Sequence, residues 1–247
     1  MIPKKIHYCW FGRNPKPELA QKCFESWKKY CPDFEIIEWN EDNYDIYSAP
    51  LFVRQAYEAK KWAFVTDYVR LDIVYKYGGI YLDTDVEIIK SIDDLLQYNA
   101  FFGLQNSKMI NTGLGFGAEA GVPILNEMMM TYKNIPFIKE DGTYDNTPCP
   151  DRDTRVLINH GFKEDNTFQI LPDSIACLPT EYLSPKDYLS ERLCITEDTR
   201  AIHHFAESWM SEKERTDMDE VRRSLYHPTL TERFKRWAVR NFKNRQK

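Results

Sequence analysis

The segment AFVTDYVRLDIVYKYGGIYLDTDVEII, Ala63 to Ile89, restricts the possible folds more than any other part of the chain. Phe64, Val65, Val69, Ile73 and Val74 recur at helical spacing and predict a helix with a broad apolar face. Gly78-Gly79 then predicts a helix stop and tight turn. The apolar run IYL is too short for a helix and predicts a buried strand that runs straight into Asp83 and Asp85. A helix folded back onto a buried strand with polar groups at its carboxyl end is the unit of an α/β sheet, and such sheets bind ligands at that end.

The rest of the chain supports the same class. KKIHYCWFG reads as a first strand closed by Gly12, PELAQKCFESWKKY as a helix opened by Pro17, and EIIEW as a second strand. Further helices are expected after Pro50, after Pro123, and over TRVLINHGF with Thr154 as its cap. AFFGL, FQIL and RAIHHF read as strands, and the Gly-rich INTGLGFGAEAG as an irregular region around a strand. EDGTYDNTPCPDRD reads as a loop, and helix alternating with strand implies helices flanking a mixed, mostly parallel sheet. No repeat or low-complexity linker divides the chain, so the expected organisation is one domain over residues 1–228 and a basic helical tail over 229–247.

Asp83 and Asp85 are spaced i, i+2 and converge either on one strand face or at a turn. Two hard oxygen donors this close suit Mg2+ or Mn2+, which would relieve their repulsion and could hold a diphosphate. A bare D-x-D tripeptide is more often a solvated turn. The Gly-Gly stop and buried strand in front of this one favour the site. Asp67 and Arg70, at i, i+3 on a largely apolar helix, read either as a helix ion pair or as contacts to a polyhydroxylated ligand. A buried charge pair is costly without partners, which favours the ligand.

The net charge of −5 and pI near 5.6 argue against a generally basic nucleic-acid binder. Residues 231–247, TERFKRWAVRNFKNRQK, depart from that average with seven Lys/Arg against one Glu. Phe234, Trp237 and Phe242 lie among those charges, which suits either a solvated or packed helix or one lying on an anionic membrane surface. Six scattered cysteines without a CxxC, no secretory leader and no long apolar span point to a cytoplasmic chain, with peripheral contact to the membrane face as the tail's contribution. No phosphate-binding G-x-x-x-x-G-K-[ST] loop and no nucleophilic triad spacing is present.

The Ala63–Ile88 segment resembles the DXD-containing sugar-binding region of glycosyltransferase family 32, to which the clostridial-toxin glucosyltransferase domains are related. IPKKIHYCWFG, SWKKYCPDFEIIEWNEDNYD and AIHHFAESW resemble the same family in the same order, so the likeness runs over roughly residues 2–209. It implies a GT-A fold, a nucleotide-sugar donor with UDP-sugars favoured, Mn2+ or Mg2+, and hexose transfer to a glycan or lipid-linked acceptor with retention. Carried over by motif, it implies Trp10 stacking on the base, Asp67 and Arg70 holding the sugar, and Asp85 ligating the metal. For Asp83 it implies contact with the ribose and a metal-bound water, and direct ligation stays open. It also implies that the late strand closes the metal site. Adjacent histidines face opposite ways there, and His204 is expected rather than His203. Ser208 and Trp209 are expected at the diphosphate, and Asn111 reads either as a sugar or acceptor contact or as a turn-forming residue. The family often carries a Thr-Gly-Pro-type segment where this chain has TPCPDRD, so the acceptor side departs from it. A non-catalytic nucleotide-sugar or glycan-binding protein and a metal-dependent phosphohydrolase would use the same aspartates.

Overall fold

The structure, a computed structural model, describes residues 1–207, 210 and 212–226. The chain divides into two compact units, Met1–Lys186 with Leu193–Ala206, and Asp187–Arg192 with the residues from Glu207 on. The boundary expected at 228/229 lies outside the described residues. The smaller unit contains helix α7 (Glu212–Tyr226), whose Arg222 pairs with Glu207 and lies over the Tyr188 ring.

The larger unit is the α/β body. Strands β1 (Lys5–Cys9) and β2 (Glu35–Trp39) pair in parallel around helix α1 (Glu18–Tyr30). Glu18 in the first turn of α1 and Lys28 and Lys29 in its last complement the helix dipole. Helices α2 (Leu51–Glu58) and α3 (Trp62–Tyr77) follow, then β3 (Gly79–Tyr81) beside β1, and β4 (Val86–Ile88). The second half supplies β5 (Ala100–Gly103), β6 (Phe116–Ala118), α4 (Pro123–Lys133), α5 (Cys149–Asn159), β7 (Gln169–Leu171), β8 (Ile175–Leu178), α6 (Thr180–Leu183) and β9 (Ala201–His203).

Seven strands form one sheet in the order β2-β1-β3-β6-β5-β8-β7, and β4 pairs with β9 apart from it. The β1–β2, β1–β3 and β5–β8 pairs are parallel, whereas β3–β6, β5–β6 and β7–β8 are antiparallel. The sheet is therefore mixed, with β6 running against both neighbours and joining a parallel amino-terminal part to the rest. Successive residues face opposite layers, as strand geometry requires. Ile6, Ile80, Leu82 and Phe101 pack with the α1 residues Cys23 and Trp27, while Cys9, Tyr81 and Phe102 pack with residues of α2, α3 and α4.

The turn into β3 is built for glycine. Gly78 and Gly79 have φ of 63° and 111°, and a Cβ on Gly79 would meet His7 Nε2 at 2.9 Å. Buried His7 holds this turn: its Nε2 is 2.8 Å from the Gly78 carbonyl oxygen, and its Nδ1 accepts from Trp39 Nε1 at 3.1 Å.

Helix α5 starts at Cys149, well before the expected cap at Thr154. Pro148 and Pro150 read as loop residues in sequence, yet proline is compatible with a first helical turn because it lacks an N–H that would have no partner there. Thr154 sits inside the helix and its hydroxyl oxygen accepts from the Ile110 amide at 2.9 Å. All six cysteines are free thiols. Among the described residues no helix is long and apolar enough to cross a membrane.

Candidate active site

Helix α3 delivers Asp67 and Arg70 side by side to the carboxyl end of β3. Arg70 Nη2 lies 3.0 Å from Asp67 Oδ1 and 3.5 Å from Asp83 Oδ1, and the guanidinium is only 3% exposed. Its other protons are committed as well: Nε donates to the Thr66 carbonyl at 3.0 Å and Nη2 to the Thr66 hydroxyl at 3.2 Å. The guanidinium also lies 5.1 Å from the centre of the Tyr81 ring. The Tyr81 hydroxyl donates to Asp83 Oδ1 at 2.9 Å, so Asp83 is gripped from both sides.

Burial pushes the Asp83 carboxyl above the usual carboxylate range against the pull of Arg70, and the neighbouring Asp85 adds to the rise. Burial likewise raises Asp67, to about 6, with Arg70 opposing. One buried guanidinium thus serves two carboxyls, neither of which it fully compensates.

Asp85 lies in a different field. Its Oδ1 is 3.2 Å from His203 Nε2 and its Oδ2 accepts from the Ala206 amide at 2.8 Å. Burial would raise this carboxyl, but the charge and hydrogen bond of His203, with the Ala206 amide, outweigh it and hold Asp85 below its usual range. The strands bring this about: β4 pairs antiparallel with β9, setting Val86 opposite His203.

Asp83, Asp85 and His203 offer ligand atoms that all lie within 4.8 Å of one another. The expected histidine was the other one. His204 points away and sets its Nε2 2.8 Å from Glu87 Oε2, which also binds Lys22 Nζ at 2.8 Å. Alternation along a strand lets only one histidine face the site, and it is His203, because Asp85 stands in the turn before β4, outside the alternation that would put it on the His204 face. Two carboxylate oxygens and an imidazole nitrogen fit a hard or borderline divalent cation, with the imidazole suiting Mn2+ better than Mg2+. His203 Nδ1 is buried without a hydrogen-bond partner among the described residues.

Asn111 comes to the same place from the loop after β5. Its Oδ1 accepts from the Gly113 amide at 2.7 Å and lies 3.6 Å from Cys149 Sγ, which is itself 3.9 Å from Arg70 Nη1. Gly113 passes so close that a Cβ there would meet Asp83 Oδ2 at 2.6 Å and Arg70 Nη1 at 2.9 Å. Sequence reasoning did not single out Cys149, Gly113, Tyr81 or Asp153. Asp153 is fully buried on α5, accepts from the Thr112 hydroxyl at 2.8 Å and is raised by burial to about 7. Only Tyr81 carried a local signal, since it shares strand parity with Asp83.

Trp10 follows β1 and is half-buried, its Nε1 donating to the Asn14 carbonyl at 2.7 Å and Lys16 Nζ lying 5.9 Å from its ring. Ser208 and Trp209 lie outside the described residues.

Residues 17–102 match the family model described as the glycosyltransferase sugar-binding region containing a DXD motif. The chain is 34% identical over 140 residues to inositol phosphoceramide mannosyltransferase 3 of Schizosaccharomyces pombe, a match covering 55% of this chain and 37% of the relative. It therefore spans little more than a third of that relative's length. It is 25% identical over 199 residues to the uncharacterized glycosyltransferase L373 of Acanthamoeba polyphaga mimivirus, covering 78% of this chain and 77% of that one. Among solved structures, the PaToxG glycosyltransferase superposes with a TM-score of 0.50 at 18% identity, covering 64% of this chain and 68% of that one, a likeness of fold.

Proposed function

We propose that this chain, which carries the DXD-containing sugar-binding region of glycosyltransferases, transfers a hexose from a nucleotide sugar to a glycan or lipid-linked acceptor in a metal-dependent, retaining reaction. The observation that carries the reading is the convergence of Asp67, Arg70, Asp83, Asp85 and His203 at the carboxyl end of β3.

In this reading Asp85 and His203 would hold Mn2+ or Mg2+, with Asp83 either a third ligand or a contact to the ribose. When bound, such a cation would supply Lewis-acid neutralisation of charge on the diphosphate. Asp67 and Arg70 take the sugar hydroxyls, and the rigid ties of Arg70 to Thr66 fix the ring so that the acceptor hydroxyl meets the anomeric carbon. Trp10 offers its ring to the base, where stacking contributes about 1–3 kcal/mol. Asn111 meets the sugar or the acceptor. Ser208 and Trp209 are assigned to the diphosphate on resemblance alone. Front-face attack, with a donor phosphate oxygen accepting the acceptor proton, requires no protein base. UDP-sugars are the favoured donors. The mannosyltransferase name of the fission-yeast relative makes a mannosyl nucleotide the second choice. A cytoplasmic location, with the basic tail on the membrane face, would bring the enzyme to a lipid-linked acceptor.

The test is release of sugar from a panel of UDP- and GDP-sugars with Mn2+, with and without candidate acceptors. Donor-dependent elongation of an acceptor supports the reading. A protein that binds donors but never turns them over is a binding protein, and one that only releases free sugar is a hydrolase.

A further inference from the structure

Helix α5 grips three consecutive residues of the loop after β5. The Thr154 hydroxyl oxygen accepts from the Ile110 amide at 2.9 Å. Cys149 Sγ lies 3.6 Å from Asn111 Oδ1. Asp153 Oδ2 accepts from the Thr112 hydroxyl at 2.8 Å and from the Thr112 amide at 3.3 Å. Asp153 and Thr112 are both fully buried. Cys149 and Asp153 are four residues apart and so share one face of the helix.

The turn held in this way lies against the donor side of the site. The Gly113 carbonyl accepts from the Asp83 amide at 3.4 Å. One point, where a Cβ on Gly113 would stand, is within 2.9 Å of Asp83 Oδ2, Arg70 Nη1 and Asn111 Oδ1. Asn111 is therefore a neighbour of the two residues assigned to the donor. Its Oδ1 accepts from the Gly113 amide and its Nδ2 donates to Gln105 Oε1 at 2.6 Å. An amide nitrogen carries two protons, and among the described residues the second has no acceptor.

Stability alone accounts poorly for a carboxyl at position 153. Its Oδ1 is buried with no hydrogen-bond partner among the described residues, and an unpaired buried oxygen is destabilising. What the group provides is its two bonds to Thr112. Burial raises it to about 7, so near neutral pH much of it is uncharged, the form that an asparagine copies.

We propose that Asp153 is a positioning residue for the donor sugar: through Thr112 it holds the 111–113 turn so that Asn111 presents its second Nδ2 proton to a sugar hydroxyl beside Asp83 and Arg70. The proposal rests on the glycosyltransferase reading above and places Asn111 on the sugar rather than on the acceptor.

Calorimetry on the full chain with Mn2+ tests it, with UDP-glucose, UDP-galactose and GDP-mannose set against UDP and GDP. The readout is the ratio of the dissociation constant of a nucleotide sugar to that of its nucleoside diphosphate, which isolates the sugar. Asp153→Ala should raise this ratio tenfold or more, with nucleotide affinity within threefold of wild type. Asp153→Asn should return the ratio to within threefold, because its amide oxygen still accepts from Thr112. Thr112→Val keeps the carboxyl but removes the hydroxyl, and should raise the ratio at least threefold even if the alanine variant fails to fold. In an Asn111→Ala background Asp153→Ala should add less than twofold, since the one residue acts through the other. An unchanged ratio in Thr112→Val, equal losses of sugar and nucleotide affinity, or additive effects of the Asp153 and Asn111 variants would overturn the proposal. A wild type that binds none of the three nucleotide sugars would overturn the donor reading, and this assignment with it.

Discussion

The Asp85 carboxylate and the His203 imidazole meet at 3.2 Å, one from the turn that follows β3 and the other from the last residue of β9. This contact separates His203 from its neighbour His204, whose ring is engaged by Glu87. His203→Ala should therefore lower Mn2+ affinity, measured by calorimetry, by at least tenfold. His204→Ala should change it by less than threefold. Equal losses in both variants would remove His203 from the metal site.

Asp85→Asn keeps the side-chain volume and removes the charge. Hexose transfer should fall by about 100-fold or more, equivalent to ~2.7 kcal/mol or more of transition-state stabilisation. Steady-state rates with the best donor of the panel provide the measurement. Full turnover would exclude Asp85 from any role at the diphosphate.

Arg70 pairs with both Asp67 and Asp83 and is almost entirely buried. Arg70→Ala leaves two buried carboxyls uncompensated and should cost about 3–5 kcal/mol in chemical denaturation. Arg70→Lys restores the charge but cannot serve Thr66, Asp67 and Asp83 together, because a lysine lacks the planar fork. It should recover much of the stability and little of the donor affinity.

Gly113→Ala tests how closely the loop presses on the site. The new methyl would lie 2.6 Å from Asp83 Oδ2, so loop or carboxylate must shift. Overpacking of this kind costs about 1–3 kcal/mol. Donor binding should weaken more than thermal stability falls, with nucleotide-sugar titrations set against melting curves.

His7 predicts a pH effect away from the chemistry. Burial lowers its pKa, against the opposing bond to Gly78. The folded state therefore favours neutral imidazole. That contribution is complete above the unfolded pKa of about 6.5 and is lost as pH falls towards the folded value. The wild type should lose more stability between pH 7.5 and pH 5.5 than His7→Gln does. Parallel melting curves over that range would refute the assignment.

Much of this fold could be read from local pattern. EIIEW is β2 from end to end, and the helix, glycine pair and strand before Asp83 lie where the periodicity puts them. Features that depend on partners distant in sequence could not be read this way. Strand parity narrowed the two histidines to one, but the choice rests on Asp85 standing in the turn before β4, where it meets His203 across the β4–β9 pair. Cys149 and Asp153 looked like loop residues because the flanking prolines masked the start of α5. The sheet direction changed beyond β3 for a similar reason, since alternation within a strand carries no record of its neighbour's orientation.

The pairing of β4 with β9 also sets an order of assembly during synthesis. A nascent chain that has emerged only through β8 already contains Asp67, Arg70, Tyr81, Asp83 and Asp85, but it lacks the histidine opposite them. On the proposed reading, the full set of three grouped ligand atoms is therefore present only once β9 has been made. A product truncated before Ala201 would keep the sugar-facing charges and lack one of the three grouped ligands.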